Sequence, residues 1–219
     1  MRVVIFGATG MIGHGVLLEC LDDPAITAVT SVARREVPVE HDKLTQILHD
    51  DFTDFRGIAD ALTGFDACFW CLGVSSTGMT EEAYRRITLD FTLAAAEVLA
   101  ERNDALTFCF ISGAGTDRDS RQMWARVKAE AEDRLADFPF AAHYNFRPAM
   151  IQPMRGVRST IKSYNLIYAI IGPFYPLLKH IRSYVTSTPE VGRAMIRVAR
   201  DGAPKQILEN ADICELAGG

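Results

Sequence analysis

Short apolar runs recur along the chain at near-regular intervals: Val3 to Phe6, Ala28 to Ala33, Thr45 to His49, Ala67 to Leu72, Leu106 to Ile111 and Ala141 to Phe146. Each has the length and the β-branched or aromatic content of a strand. Ala67 to Leu72 is apolar at every position, as expected of a parallel strand buried on both faces. Between the runs the apolar period changes to that of helices. Val16, Leu17, Leu18 and Leu21 follow the first run; Ile87, Phe91, Ala94, Ala95, Val98 and Leu99 mark a long amphipathic helix over Glu81 to Glu101. Phe55 to Leu62 reads as a short helix and Arg121 to Leu135 as another. Strict alternation of strand and helix predicts an α/β fold, a doubly wound and mostly parallel sheet.

After the sixth run the alternation breaks. Thr188-Pro189-Glu190 is expected to cap a helix running to about Arg200, and Gln206 to Asn210 resembles a final edge strand. Tyr164 to Leu178 is strongly apolar. Its fifteen residues, interrupted by Gly172, Pro173 and Pro176, fall short of the ~20 that a membrane span requires. A substrate-side cover, a packed helix or a subunit contact is expected there, with interfacial membrane contact as the alternative.

Composition narrows the class of partner. The chain has 219 residues, mean hydropathy +0.06 and a formal charge of −5, and no Pro/Ser/Gly-rich linker divides it. One domain over 1–219 is expected, with 148–219 including the substrate-side segment. The charge gives no reason to bind nucleic acid or anionic lipid, so the expected partners are a small-molecule substrate or a regulatory protein, in a monomer or homodimer. A core strand begins at once, which leaves no leader segment and makes a cytoplasmic location the expectation. The five cysteines, Cys20, Cys68, Cys71, Cys109 and Cys214, fit reduced core thiols. Cys68-Phe-Trp-Cys71 imitates a redox motif, but in a strand its two thiols face opposite ways. His41, His49, His143 and His180 show no metal-ligand spacing with them, and no metal is expected.

The candidate chemistry begins where the first strand ends, at Gly7-Ala-Thr9-Gly10-Met11-Ile12-Gly13. Glycines permit positive φ and close backbone approach, and the unpaired N–H groups of the helix that follows attract a diphosphate. This loop is a candidate dinucleotide site. His14 either touches phosphate or faces solvent on the first turn; its protonated form is disfavoured at a helix N-terminus. Arg34 and Arg35 end the second strand, where an acid would accept hydrogen bonds from a free ribose 2′-hydroxyl. Arginines there accommodate a 2′-phosphate, which favours NADP over NAD; the alternative is a solvated loop. Asp51 ends the third strand and is suited to the adenine amino group, with the backbone at Phe52 against the ring; a surface acid opening a helix is the competing reading. Leu72 and Gly73 end the fourth strand in a small-residue loop suited to lie along the cofactor. Ser112 ends the fifth, where ligands of an open parallel sheet collect.

The glycine loop, Ser112, Lys128 in the next helix and Arg147-Pro148 at the sixth strand together resemble the short-chain dehydrogenase/reductase superfamily over nearly the whole chain. The Arg34-Arg35 pair, Trp124-Ala-Arg-Val-Lys128-Ala-Glu130 and Leu208-Glu-Asn-Ala-Asp-Ile213 resemble its atypical, Tat-interacting-protein-like branch, related to NmrA-like proteins. The resemblance implies a Rossmann domain, with Arg147 and Pro148 beside the cofactor and Lys128 on the nicotinamide ribose. It also implies reductase chemistry carried by serine, tyrosine and lysine. Ser112 and Lys128 match; Trp124 stands where the tyrosine would. A phenol of pKa near ~10 exchanges a proton with substrate oxygen, whereas an indole N–H only donates a hydrogen bond. Other groups that would have to enter the site are Tyr84, Tyr164 or an ordered water between Ser112 and Lys128. The expectation is an NADP-binding protein that reduces a small carbonyl compound with altered proton delivery; the alternative is a non-catalytic NADP(H)-responsive regulatory protein.

Overall fold

The computed structural model describes residues 1–157 and 183–218. Tyr164 to Leu178, and with it Tyr164 as a candidate proton donor, lies outside the described residues. One seven-stranded, all-parallel sheet organises the chain in the order β3-β2-β1-β4-β5-β6-β9. Its strands are β1 (Arg2–Phe6), β2 (Ala28–Ala33), β3 (Leu44–Leu48), β4 (Ala67–Trp70), β5 (Thr107–Ile111), β6 (Ala142–Arg147) and, at the far edge, β9 (Ile207–Glu209). All six predicted strands and the edge strand are present, within a residue or two of their expected bounds.

Alternation along β1 sends Val3 and Ile5 into one core and Val4 and Phe6 into the other. The first core is covered by α1 (Met11–Asp22), α5 (Thr188–Asp201) and α6 (Asn210–Gly218). The second lies under a 3₁₀ turn (Arg56–Leu62), α3 (Phe91–Arg102) and α4 (Met123–Leu135). Cys68 sits in one core and Cys71 in the other, so the apparent redox pair is split by the sheet. All five thiols are buried and none is in a disulfide.

Three features differ from the sequence reading. The predicted helix over Glu81 to Glu101 is three pieces: α2 (Glu81–Arg85), a π turn (Arg86–Asp90) and α3. The cap of α5 is Ser187, one residue earlier than expected, its hydroxyl accepting from the Glu190 N–H at 3.4 Å. A second, two-stranded parallel sheet pairs β7 (Met150–Gln152) with β8 (Val185–Ser187). Among the described residues no helix is long and apolar enough to cross a membrane.

Candidate functional site

The strand order reverses between β1 and β4, and a crevice opens there at the carboxyl ends of the strands. The glycine loop is built into it. Gly7 has φ +83°, and a Cβ on it would lie 2.6 Å from the Leu72 nitrogen. A Cβ on Gly13 would fall on the Gly7 carbonyl oxygen, so α1 packs onto the loop only because that atom is missing. The Gly10 N–H donates to the Gly7 carbonyl at 2.9 Å and closes the turn. Gly10 is the N-cap of α1, no side chain caps the helix, and no acid lies in its first turn. The N–H groups at Met11, Ile12 and Gly13 therefore lack the side-chain acceptor that would compete with an anion. The side chains of Met11 and Ile12 pack on the core.

A cleft of about 740 Å³ extends from this loop. Gly7, Thr9, Gly10, Arg34, Arg35, Phe52, Leu72 and Gly73, eight of the residues picked out from the sequence, line it together. Arg34 and Arg35 are exposed, and neither has an ion-pair partner among the described residues. Phe52 is 3 % exposed and packs 6.5 Å from Phe6 and 5.8 Å from Phe91, giving the cleft an apolar floor suited to a purine. His14 is half-buried, neither fully solvent-facing nor in this cleft. It lines an adjoining hollow of about 350 Å³ with Arg35 and Glu36, and burial lowers its pKa.

Two expected cofactor contacts are committed elsewhere. The Asp51 carboxylate accepts from the Thr53 N–H at 2.9 Å and from the Thr53 hydroxyl at 2.5 Å. Those bonds hold it below the usual carboxylate range, and Asp51 is not among the residues that line the cleft. Arg147 forms a two-pronged pair with Glu132, at 3.0 and 2.5 Å, and reaches Glu209 at 3.4 Å. Glu132 is only 5 % exposed; a carboxylate so buried needs its cation, and Arg147 ties α4 to β6 and β9 instead of facing a cofactor. Pro148 is buried beside it and accepts the Ala114 N–H through its carbonyl at 3.0 Å.

Ser112 and Lys128 meet at the end of β5, outside the residues that line the described cleft. The Lys128 ammonium donates to the carbonyls of Ile111 at 3.0 Å and Ser112 at 2.9 Å, 5.6 Å from the centre of the Phe110 ring. Burial lowers its pKa to about 8, with Glu132 pulling the other way. The Thr116 hydroxyl donates to the Gly113 carbonyl at 2.8 Å, so in the 3.0 Å bond between Ser112 and Thr116 the serine is the donor. One turn before Lys128, Trp124 lies against Gly113 and Gly115 and donates its indole N–H to the Gln122 side chain. Tyr84, the other candidate proton donor, is 2 % exposed within the second core.

The sequence reading missed the far wall of the cleft. Glu82, Ala83, Arg86, Ile87, Asp90 and Phe91 line it from α2, the π turn and α3. They were legible only as a spacing: two rows at strict four-residue intervals, one charged and one small or apolar.

A diphosphate cradle at the reversal point of a parallel sheet, with an apolar floor and two free guanidinium groups beside it, defines a dinucleotide-binding Rossmann protein. The chain belongs to the NAD(P)H-binding family, whose profile matches residues 7–200. It is 29 % identical to Protein HTATIP2 of Rattus norvegicus over 151 residues, which are 68 % of this chain and 62 % of that protein. The chain therefore spans less than two thirds of that relative's length. It is 25 % identical to "Protein FMP52, mitochondrial" of Saccharomyces cerevisiae over 228 residues, covering 99 % of this chain and 96 % of the yeast protein. Among solved structures, a UDP-glucose 4-epimerase superposes with TM-score 0.70 at 15 % identity, over all of this chain and 80 % of its own. A short chain dehydrogenase family protein from Francisella tularensis gives 0.66 at 13 %, over 92 % and 91 %. The resemblance to atypical short-chain dehydrogenase/reductase proteins stands on these relatives and on the shared fold.

Proposed function

We propose that this chain binds NADP(H) in the cleft and reduces a small carbonyl compound, with proton delivery altered by Trp124. The observation that carries the cofactor preference is that Arg34 and Arg35 line the same cleft as the glycine loop. A guanidinium fork grips a phosphate through two parallel hydrogen bonds, which a ribose hydroxyl cannot match. NADPH, when bound, supplies the hydride. Lys128 supports the redox part of the reading: a cation fixed at a strand end polarises a substrate oxygen or holds a ribose, with Ser112 beside it supplying a backbone carbonyl that holds the ammonium. Without a positioned phenol the proton comes more slowly, at a cost of about 10² to 10⁴ in rate.

A second reading, a non-catalytic NADP(H)-responsive protein, is favoured by the commitment of the Trp124 N–H to Gln122. Thermal unfolding with NADPH, NADP or NADH tests the cofactor preference. The NADPH shift should exceed the NADH shift, and Arg34→Ala with Arg35→Ala should equalise them. Equal shifts in the parent protein overturn NADP selectivity. NADPH oxidation against a panel of carbonyl compounds then separates the two readings: turnover that Lys128→Ala abolishes supports the reductase, while tight binding with no turnover supports the responsive protein.

A further inference from the structure

Burying a lysine ammonium drives it towards the neutral form, because the surroundings no longer solvate its charge. Lys128 keeps two acceptors, the Ile111 and Ser112 carbonyls. Its neighbours form a polar patch at the edge of the second core. Alternation along β6 sends Tyr144 and Phe146 into the first core, so His143, Asn145 and Arg147 share the opposite face, towards α4. Their β5 partners Phe108 and Phe110 are aromatic. One helical turn after Lys128, on the same side of α4, stands Glu132. It is 5 % exposed and forked with Arg147 at 3.0 and 2.5 Å.

The charges on this patch alternate in sign. Lys128 is followed by Glu132, Glu132 by Arg147, and Arg147 by Glu209 on β9 at 3.4 Å. Among the described residues Glu132 is the carboxylate that acts on Lys128, favouring the charged form against burial. His143 is held towards its neutral form by burial and adds no cation. On the α2 side of α4 the charges are closed on one another, Arg85 with Glu130 and Glu81 with Arg126. Arg86 and Asp90 of the π turn line the cleft.

We propose that Glu132 is a positioning residue of this site: locked to Arg147, its carboxylate keeps the buried Lys128 ammonium charged and seated on the carbonyls at the end of β5. The proposal rests on the reading of Lys128 as the cation that holds a ribose or a substrate oxygen, and it states what sustains that cation in a buried place. The fork with Arg147 also fixes α4 against the strand ends that carry the acceptors, since the Ser112 N–H donates to the Phe146 carbonyl at 2.7 Å, next to Arg147. Replacing the carboxylate by an amide keeps most of that shape. It leaves Lys128 and Arg147 as two cations with no anion between them.

NMR titration of the full chain carrying isotopically labelled lysine follows the Lys128 ammonium, its signal assigned by its loss in Lys128→Met. The parent midpoint should lie at about 8, and Glu132→Gln should lower it by about one pH unit. Arg147→Met removes a cation and leaves the carboxylate, so it should raise the midpoint. The opposite directions matter, because cutting a purely structural tie would let water reach the ammonium and raise the midpoint in both variants. A midpoint unchanged or raised in Glu132→Gln overturns the proposal; should that variant not fold, an unchanged or lowered midpoint in Arg147→Met does so. The consequence for the site is read separately. NADPH affinity of Glu132→Gln should fall below that of the parent protein at about pH 8 and recover at about pH 6.5, where the ammonium is again present in both. Midpoints that move as stated while NADPH affinity ignores them would leave the hold of Glu132 on Lys128 standing and overturn the reading of Lys128 as the cation of the site.

Discussion

Lys128 shows what a single residue reveals about the site. Its ammonium is desolvated but keeps two carbonyl acceptors, and its pKa falls to about 8 from an ordinary value of 10.5. Between those values the unfolded chain holds a proton that the folded one has released, so unfolding becomes less favourable as pH rises through that window. Below about pH 8 both states are protonated and the full desolvation cost is present. The stability of the parent protein minus that of Lys128→Met should therefore rise between pH 8 and pH 10.5 in denaturant titrations. A flat difference would mean that the ammonium is solvated. Residues of this kind were legible in part. Ser112 was picked out by its place at a strand end, Lys128 through the family resemblance, and Arg34 with Arg35 by their distance from the glycines. Arg147 was misread because nothing in a strand-end arginine announces a buried carboxylate on the neighbouring helix. Asp51 was picked out as the acid that follows the third strand, while the hold of the threonine two residues later on its carboxylate shows only in the structure.

At the scale of elements, the strands were legible because each is buried and bounded by polar or small residues; the exceptions have local causes. β7 and β8 are three residues each and lie far apart in sequence, too short for any period to register. The π turn is invisible to a search for helical period, which averages over it. The cap of α5 was placed a residue late because Pro189 draws attention to the first turn, whereas Ser187 supplies the hydroxyl. That serine is 2 % exposed, accepts the Glu190 N–H and donates to the Glu190 carboxylate at 2.7 Å. Ser187→Ala removes a buried cap and should cost about 1 kcal/mol, read as a lower urea midpoint with unchanged slope. The ratio of NADPH to NADH affinities should not move, because α5 supports α1 from behind and lines no part of the cleft. A changed ratio would mean that the helix sets the geometry of the glycine loop.

For the molecule as a whole, the sheet separates two cores, and the cleft lies where their strands diverge. Its near side is the loop after β1 and the end of β2; its far side is the loop after β4 with α2 and the π turn. A dinucleotide bound there bridges segments that belong to different layers, and the two functional readings part over how far that bridging is felt. In a reductase the cradle is ready before the cofactor arrives: Gly7 is already in its turn and the N-terminus of α1 already uncapped. Binding at 100 times the dissociation constant should then add about 2.7 kcal/mol of stability. Added protection from hydrogen exchange should be confined to the glycine loop, the ends of β2 and β4, and Glu81 to Phe91. A regulatory protein needs a ligand that discriminates between two conformations of a distant surface. Its signature would be protection or exposure spreading to α4, α6 and the β7–β8 ladder, with a changed denaturant slope. Exchange confined to the cleft lining is the expected result, because the glycine loop already packs backbone to backbone against Leu72 and the Phe52 ring beneath is buried, a construction that resists remodelling on binding.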